Sequence, residues 1–215
     1  MYEEKAADGR NRAPMIGDAA PDFSCRTTRG ETSLAAFRGR WLVFFSHPAD
    51  FTPVCTSEFV AFAKAAPEFA AIGCELLALS VDSLLSHIAW VRTIERRFDL
   101  TIPFPVVEDP SMAIASAYGM IHPGASSSAT VRGCFVIDPE GMVRMSCWYP
   151  MSTGRNVAEI LRTVRALQTC DSEGVSTPAS WLPGEDVIDL INLDAEDRRD
   201  VTEWFYQTRA LEAAE

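Results

Sequence analysis

No stretch of this 215-residue chain approaches the ~20 consecutive apolar residues that a spanning helix needs; the longest strongly apolar run is Trp41 to Phe45. The N-terminal MYEEKAADGRNRAP is polar and lacks the apolar segment of a secretory signal, so the expected location is the cytoplasm. None of the six cysteines is spaced as CxxC, and none of the three histidines stands at a zinc-ligand spacing from a cysteine pair. A structural zinc site and a disulfide scaffold are therefore not expected, nor is any metal or other cofactor. Repeats and low-complexity segments are also missing. Positive charge is short: 19 Lys and Arg face 30 Asp and Glu, a net charge of -11. Such a chain repels phosphates and anionic lipid surfaces, which excludes non-specific nucleic-acid or membrane binding.

Much of the acidity sits at the C-terminal end. Residues 171–215 carry 12 acids and 3 bases, against 18 and 16 over residues 1–170. The hydrophobic fraction of 47% is that of a globular protein with a real core. Its length suits one domain, or one domain with an arm.

IGDAAPDF opens the fold, with Pro21 setting an extended lead-in. WLVFFS at 41–46 is aromatic, β-branched and too short for a buried helix, so it reads as a central strand. From Thr52 to Ala71, apolar residues at 59, 62, 63, 66, 69 and 70 recur at helical spacing. CELLALSV (74–81) reads as a buried strand. Residues 84–98 read as a helix presenting Leu85, Ile88, Val91 and Ile94 on one face. FPVVED (104–109) reads as a short strand and 111–118 as a short helix. Residues 129–138 and 141–149 form a hairpin around Pro139-Glu140-Gly141, and 155–169 a further helix. This order gives an α/β class with a mixed sheet, and the thioredoxin-like fold has this succession of elements. Beyond residue 170, Pro178, Pro183 and Gly184 break the pattern before EDRRDVTEWFYQTRALEAA resumes a helix-like one.

The segment with chemical content is SHPADFTPVCTSEF, between the first central strand and the first long helix. It places Cys55 at a helix start, where free N–H groups and the positive end of the dipole favour an anion. A cysteine there is a candidate thiolate nucleophile. Thr52 stands three residues earlier, where CxxC oxidoreductases carry a second thiol, and Pro48 and Pro53 fix the loop. Thr52 also suits a helix N-cap. Arg132 suits an ordinary salt bridge, Arg155 a surface charge and His47 a structural hydrogen-bonding role. Cys25, Cys74, Cys134 and Cys147 lie in or beside apolar strand-like segments and read as small buried hydrophobes.

Pro48-x-x-x-Thr52-x-x-Cys55 resembles the active-site signature of the peroxiredoxins, the AhpC/TSA superfamily. The string HPADFTPVCTSE resembles most closely the one-Cys subfamily and its microbial relatives. SATVRGCFVID, centred on Arg132, and YPMSTGRN, with Arg155, resemble that family's two arginine segments and follow in family order. The resemblance implies a thiol-dependent peroxidase that reduces hydrogen peroxide and organic hydroperoxides. The Cys55 thiolate attacks the terminal peroxide oxygen to give a sulfenic acid. Thr52 and the Cys55 N–H hold the peroxide, and Arg132 stabilises thiolate and developing charge. His47 lies at the pocket rim, Glu58 orients the arginines, and Arg155 supports the site.

Residues 1–13 read as a flexible leader and 171–215 as a C-terminal arm; the resemblance implies 14–170 as the peroxiredoxin domain and dimerisation through the arm. Dimers form through the edge strand GMVRMSCWY, with decamers as rings of dimers. Trp181, Leu182, Trp204 and Phe205 in the arm are large apolar groups that a partner would cover. TEWFYQTRA, where microbial relatives carry a resolving cysteine, has none, and no Val-Cys-Pro motif occurs. Cys170 is the one late cysteine and the candidate for internal resolution. The first expectation is a one-Cys mechanism with an external thiol donor such as thioredoxin, glutaredoxin or glutathione. The serine and histidine of the mammalian one-Cys phospholipase activity fall at Arg40 and Leu34, so lipase activity is not expected. The competing readings are a peroxide-sensing or chaperone-like protein that uses Cys55 oxidation as a signal, and a non-catalytic scaffold.

Overall fold

A computed structural model describes residues 12–121, 129–189 and 206–211. The chain divides into two compact units, Met1–Val157 and Ala158–Glu215.

The first unit is built on a seven-stranded mixed sheet. Its strands are β1 (Ser24–Thr27), β2 (Gly30–Ser33), β3 (Trp41–Ser46), β4 (Cys74–Ser80), β5 (Val106–Glu108), β6 (Arg132–Ile137) and β7 (Val143–Tyr149), in the spatial order β2-β1-β5-β4-β3-β6-β7. β3 runs parallel to β4, and β4 to β5, while β6 is antiparallel to both β3 and β7. The central strand expected at 41–46 is β3, and every residue in it is buried. Its side chains alternate between two aromatic layers. Phe44 meets Phe23 and Tyr118 on one face. On the other, the Phe45 ring stacks 4.1 Å from Phe62 of the helix that follows.

That helix is α1 (Pro53–Ala71), with Thr52 at its N-cap and Pro53 at its first turn, where the missing N–H is no loss. Phe59, Phe62, Ala66 and Phe69 form its buried face, and Glu58 is buried among them. α2 (Leu84–Phe98) starts at Ser83, whose hydroxyl accepts the Ser86 N–H. Its inner face agrees with the one expected at Ile94 alone among the fully buried residues: His87 and Trp90 are buried with it, and Leu85 is 79% exposed. A polar histidine on the inner stripe displaced the apolar reading by about one residue, little more than a quarter turn. α3 (Ala113–Ala117) is the short helix expected there.

The 129–149 hairpin is present, and a bulge between Val136 and Ile137 shifts its register by one residue. β7 closes the sheet as an edge. The β1–β2 hairpin was not anticipated; SCRT and GETS are polar, and their burial is partial.

α4 (Val157–Glu173), nearly all of it in the second unit, is the helix expected at 155–169, starting two residues later and ending four later. β8 (Val187–Ile188) pairs antiparallel with β9 (Thr208–Arg209). Thr208–Arg209 is thus strand where a helical pattern had been expected; most of the remaining segment, with Trp204 and Phe205, lies outside the described residues. Trp181 is buried with Ala166, Val175 and Val187, and Leu211 packs against them. That tryptophan is therefore covered within its own unit, whereas Leu182 is 52% exposed. Among the described residues, no helix is long and apolar enough to cross a membrane.

Candidate active site

The β3–α1 connection delivers Cys55 to the third position of α1. The first hydrogen bond of the helical ladder runs from the Thr56 N–H to the Thr52 carbonyl at 2.9 Å. The N–H groups of Val54 and Cys55 precede it, in the turn that has no intrahelical acceptors. Phe51, just before the cap, holds φ +57°, a strained conformation for a bulky side chain. Thr52 stands at the cap, but its hydroxyl does not cap; it donates to the Ala49 carbonyl at 2.9 Å. Pro48, within this loop, is buried. Cys55 itself is fully covered.

Arg132 opens β6 and points to the α1 face. Its Nη1 donates to Cys55 Sγ at 3.3 Å and to Glu58 Oε2 at 2.7 Å. Its Nε and Nη2 both donate to the Met151 carbonyl, at 3.1 and 2.7 Å. Ser46, the last residue of β3, clamps the backbone on either side. Its hydroxyl donates to the Val131 carbonyl at 2.6 Å and accepts the Gly133 N–H at 3.0 Å.

Glu58 lies one helical turn beyond Cys55 and joins two arginines. Arg155 donates to it through Nε, Nη2 and its backbone N–H, at 2.8, 2.9 and 2.9 Å. A further Arg155 bond, from Nη1, reaches the Gly133 carbonyl at 2.8 Å, and the guanidinium lies 5.1 Å from the Phe45 ring centre. Arg155 is therefore no surface charge: its side chain is wholly buried. Burial opposes ionisation of Glu58, but the hydrogen bonds and charge of Arg155, with the charge of Arg132, hold it below the ordinary carboxylate range.

His47 does not sit at a rim. It is fully buried, with its ring against Phe59 and Trp90. Its Nε2–H donates to Asp50 Oδ1 at 2.9 Å, while Nδ1 has no partner. His87 of α2 meets the same carboxylate through Nδ1 at 2.8 Å and donates from Nε2 to the Val107 carbonyl at 3.1 Å. Burial pushes His47 below its ordinary pKa, against the opposing pull of Asp50. Among the described residues, His47, Asp50 and His87 are the groups that converge closely enough to hold a metal ion, within 4.8 Å. Their hydrogen bonds to one another already satisfy Asp50, so the cluster reads as a brace between the β3–α1 loop and α2. Asp50 and His87 were missed in the sequence because nothing local links residues 37 apart.

An open cleft of about 350 Å³ adjoins the loop, lined by Phe51, Thr52, Pro53, Thr56, Trp90 and Phe98 among others. Cys170, in the second unit, is half-buried, with its sulfur 3.8 Å from the Thr177 hydroxyl.

Fold and geometry together define a thioredoxin-like protein with one cysteine, not a CxxC pair, at the start of its first long helix. The AhpC/TSA family matches over residues 16–146. A peroxiredoxin of Aquifex aeolicus is 54% identical over 171 residues, 79% of this chain and 77% of that protein. One from Methanosarcina mazei is 50% identical over 182 residues, covering 81% and 83%. Among solved structures, a yeast mitochondrial one-Cys peroxiredoxin, described as resolved through glutathione and thioredoxin systems, superposes with a TM-score of 0.83 at 36% identity, over 92% of this chain and 99% of that one. Peroxiredoxin 6 of Arenicola marina, as a cysteine-to-serine mutant, gives 0.79 at 32% identity, over 86% and 87%. The chain belongs to the AhpC/TSA family: it is a peroxiredoxin, a thiol-dependent peroxidase of the oxidoreductase class.

Proposed function

We propose that Cys55 is the peroxide-attacking thiol and that the chain works by a one-Cys mechanism, with an external thiol completing the cycle. The observation that carries this reading is the Arg132 Nη1 contact with Cys55 Sγ. Arg132, Arg155 and Glu58 together leave one net positive charge in a buried site, and a Cys55 thiolate neutralises it. The thiolate attacks the terminal peroxide oxygen, the O–O bond breaks, and the departing alkoxide or hydroxide takes a proton to leave as alcohol or water. Thr52 and the Cys55 N–H hold the peroxide; the Thr52 hydroxyl, already donating to Ala49, is left to accept from it. Arg132 stabilises the charge growing on the leaving oxygen.

Glu58 and Arg155 position Arg132 rather than touch the peroxide. Pro48 shapes the loop, and His47 braces it through Asp50. Cys55 is covered, so small peroxides suit the site best, and the adjoining cleft offers room for the organic part of a larger hydroperoxide. Reduction of the sulfenic acid falls to thioredoxin, glutaredoxin or glutathione, since no cysteine stands in the 202–210 segment. Residues 14–170 carry the chemistry and 171–215 serve as a dimerisation arm. The acidic chain fits a cytoplasmic setting.

The test is steady-state peroxide consumption with a thiol donor. Continuous turnover that disappears in Cys55→Ser and persists in Cys74→Ser is expected; burial pushes the Cys74 thiol up to about 12, which keeps it protonated and inert. Oxidation that stops after one event with every donor points instead to a peroxide sensor.

A further inference from the structure

Two cysteines outside this site face each other on the hairpin that carries Arg132. Cys134 and Cys147 are directly opposite in the β6–β7 register. Opposite residues of an antiparallel pair point to the same face, so the two side chains are direct neighbours. Both are free. The bulge creates the encounter: continued without it from the Ile137–Val143 pair, the register would set Cys134 against Ser146. Opposite residues of an antiparallel ladder have Cα atoms about 4.5–5.5 Å apart. That lies inside the ~4.4–6.8 Å range of disulfides.

The two thiols are unequal. Cys134 is fully buried, and the contact with Cys147, together with burial, raises its pKa well above the ordinary thiol value. Cys147 is half-buried on the edge strand. The neighbouring Cys134 side chain lowers its pKa against the effect of burial, and the Arg155 charge acts in the same direction. Cys147, part-exposed on the edge strand, is therefore the member that a small oxidant can reach, with Cys134 buried behind it.

We infer that Cys134 and Cys147 form a second redox site, a cross-strand dithiol that peroxide oxidises reversibly to a disulfide. The Cys147 thiolate attacks one peroxide oxygen. The O–O bond breaks, its electron pair leaves on the other oxygen, and that oxygen takes a proton. The Cys134 sulfur then attacks the Cys147 sulfenic sulfur. The S–O bond breaks, and the released hydroxide leaves as water with the Cys134 proton. Two thiols lose two electrons and two protons, and the peroxide is reduced to alcohol and water. The Cβ separation of about 4.5–5.5 Å between opposite strand residues exceeds the ~3.8 Å a relaxed disulfide prefers, so the bridge is strained and readily reduced. Arg132 precedes Cys134 by two residues, and Arg155 holds the intervening Gly133 carbonyl. The bridge therefore ties together the strand that presents the arginine and keeps these thiols off the irreversible oxidation ladder.

The experiment uses the full-length Cys55→Ser variant, so its outcome does not depend on the role given to Cys55. The protein is treated with excess hydrogen peroxide, alkylated with iodoacetamide and digested without reductant; wild type is treated in parallel. A Cys134–Cys147 linked peptide is expected in both, with loss of two of the five free thiols of the variant, full recovery in dithiothreitol, and no such peptide after a further Cys147→Ser substitution. Recovery of either cysteine as free thiol, sulfinic acid or a bridge to another cysteine, in place of the linked peptide, overturns the inference.

Discussion

Arg132 reaches the Cys55 sulfur at 3.3 Å from a strand 77 residues further along the chain. Its other donors are committed: Nε and Nη2 to the Met151 carbonyl, and Nη1 also to Glu58. The guanidinium is thus fixed from three sides before any peroxide arrives, as electrostatic stabilisation of a transition state requires.

Arg132→Ala removes that pre-set donor. The second-order rate constant with hydrogen peroxide is expected to fall by about 10²–10³, the cost of one oxyanion-type donor. Stopped-flow intrinsic fluorescence or competition kinetics reads this directly. A rate within a factor of about 3 of wild type would remove Arg132 from the reaction.

Glu58 is the carboxylate that pairs with both buried arginines, Arg132 and Arg155. Glu58→Gln leaves two guanidinium groups buried with no neutralising carboxylate. Breaking a buried pair in this way costs about 3–5 kcal/mol. Urea denaturation is expected to show a loss of that order; one below about 1 kcal/mol would mean that the arginines relax into solvent.

Stability should also fall on acidification, in two stages. Unfolded His47 takes a proton near pH 6.5, whereas the buried folded ring, its pKa lowered mainly by desolvation, resists it. Protons therefore favour the unfolded state as the pH drops through ~6.5. Unfolded Glu58 and Asp50 protonate near pH 4, but their folded pKa values are depressed, Glu58 by its arginines and Asp50 by His47 and His87, in each case against burial. Their contribution is full above that range and is lost as the pH falls through it towards the folded values. Thermal unfolding between pH 8 and 3 should show a plateau above pH ~7 and then a two-stage decline. A Tm unchanged down to pH ~4 contradicts the assignment.

Much of this site could be read from the chain alone, and the part that could not has a common cause. Cys55 at a helix start, Thr52 three residues before it and the β3 strand are local patterns. Glu58 and the arginines were placed only by likeness to a family. What was missed joins distant backbone: the Met151 carbonyl under Arg132, Asp50 against His87, and Ser46 gripping both neighbours of Arg132. The inner face of α2 was misread because His87, a polar residue, is satisfied by Asp50 and Val107 and so can be buried. The Cys134–Cys147 encounter was hidden by a one-residue bulge, since symmetric counting about the turn sets serine opposite Cys134.

Among the described residues, β7 is the last strand at one edge of the sheet. Pairing of two such edges is expected to give a homodimer, with rings of dimers, including a decamer, as the larger form. Sedimentation velocity at micromolar concentration should show a dimer or a multiple of it; a monomer there would contradict the edge pairing.

The most direct test of the central claim is intact mass after one equivalent of hydrogen peroxide, with dimedone present to trap sulfenic acid. One adduct per chain, mapped to Cys55, is expected, and without trap or donor thiol excess peroxide should carry that residue on to sulfinic acid. A Cys55–Cys170 disulfide, within or between chains, or an adduct on another cysteine with Cys55 unmodified, would contradict the account.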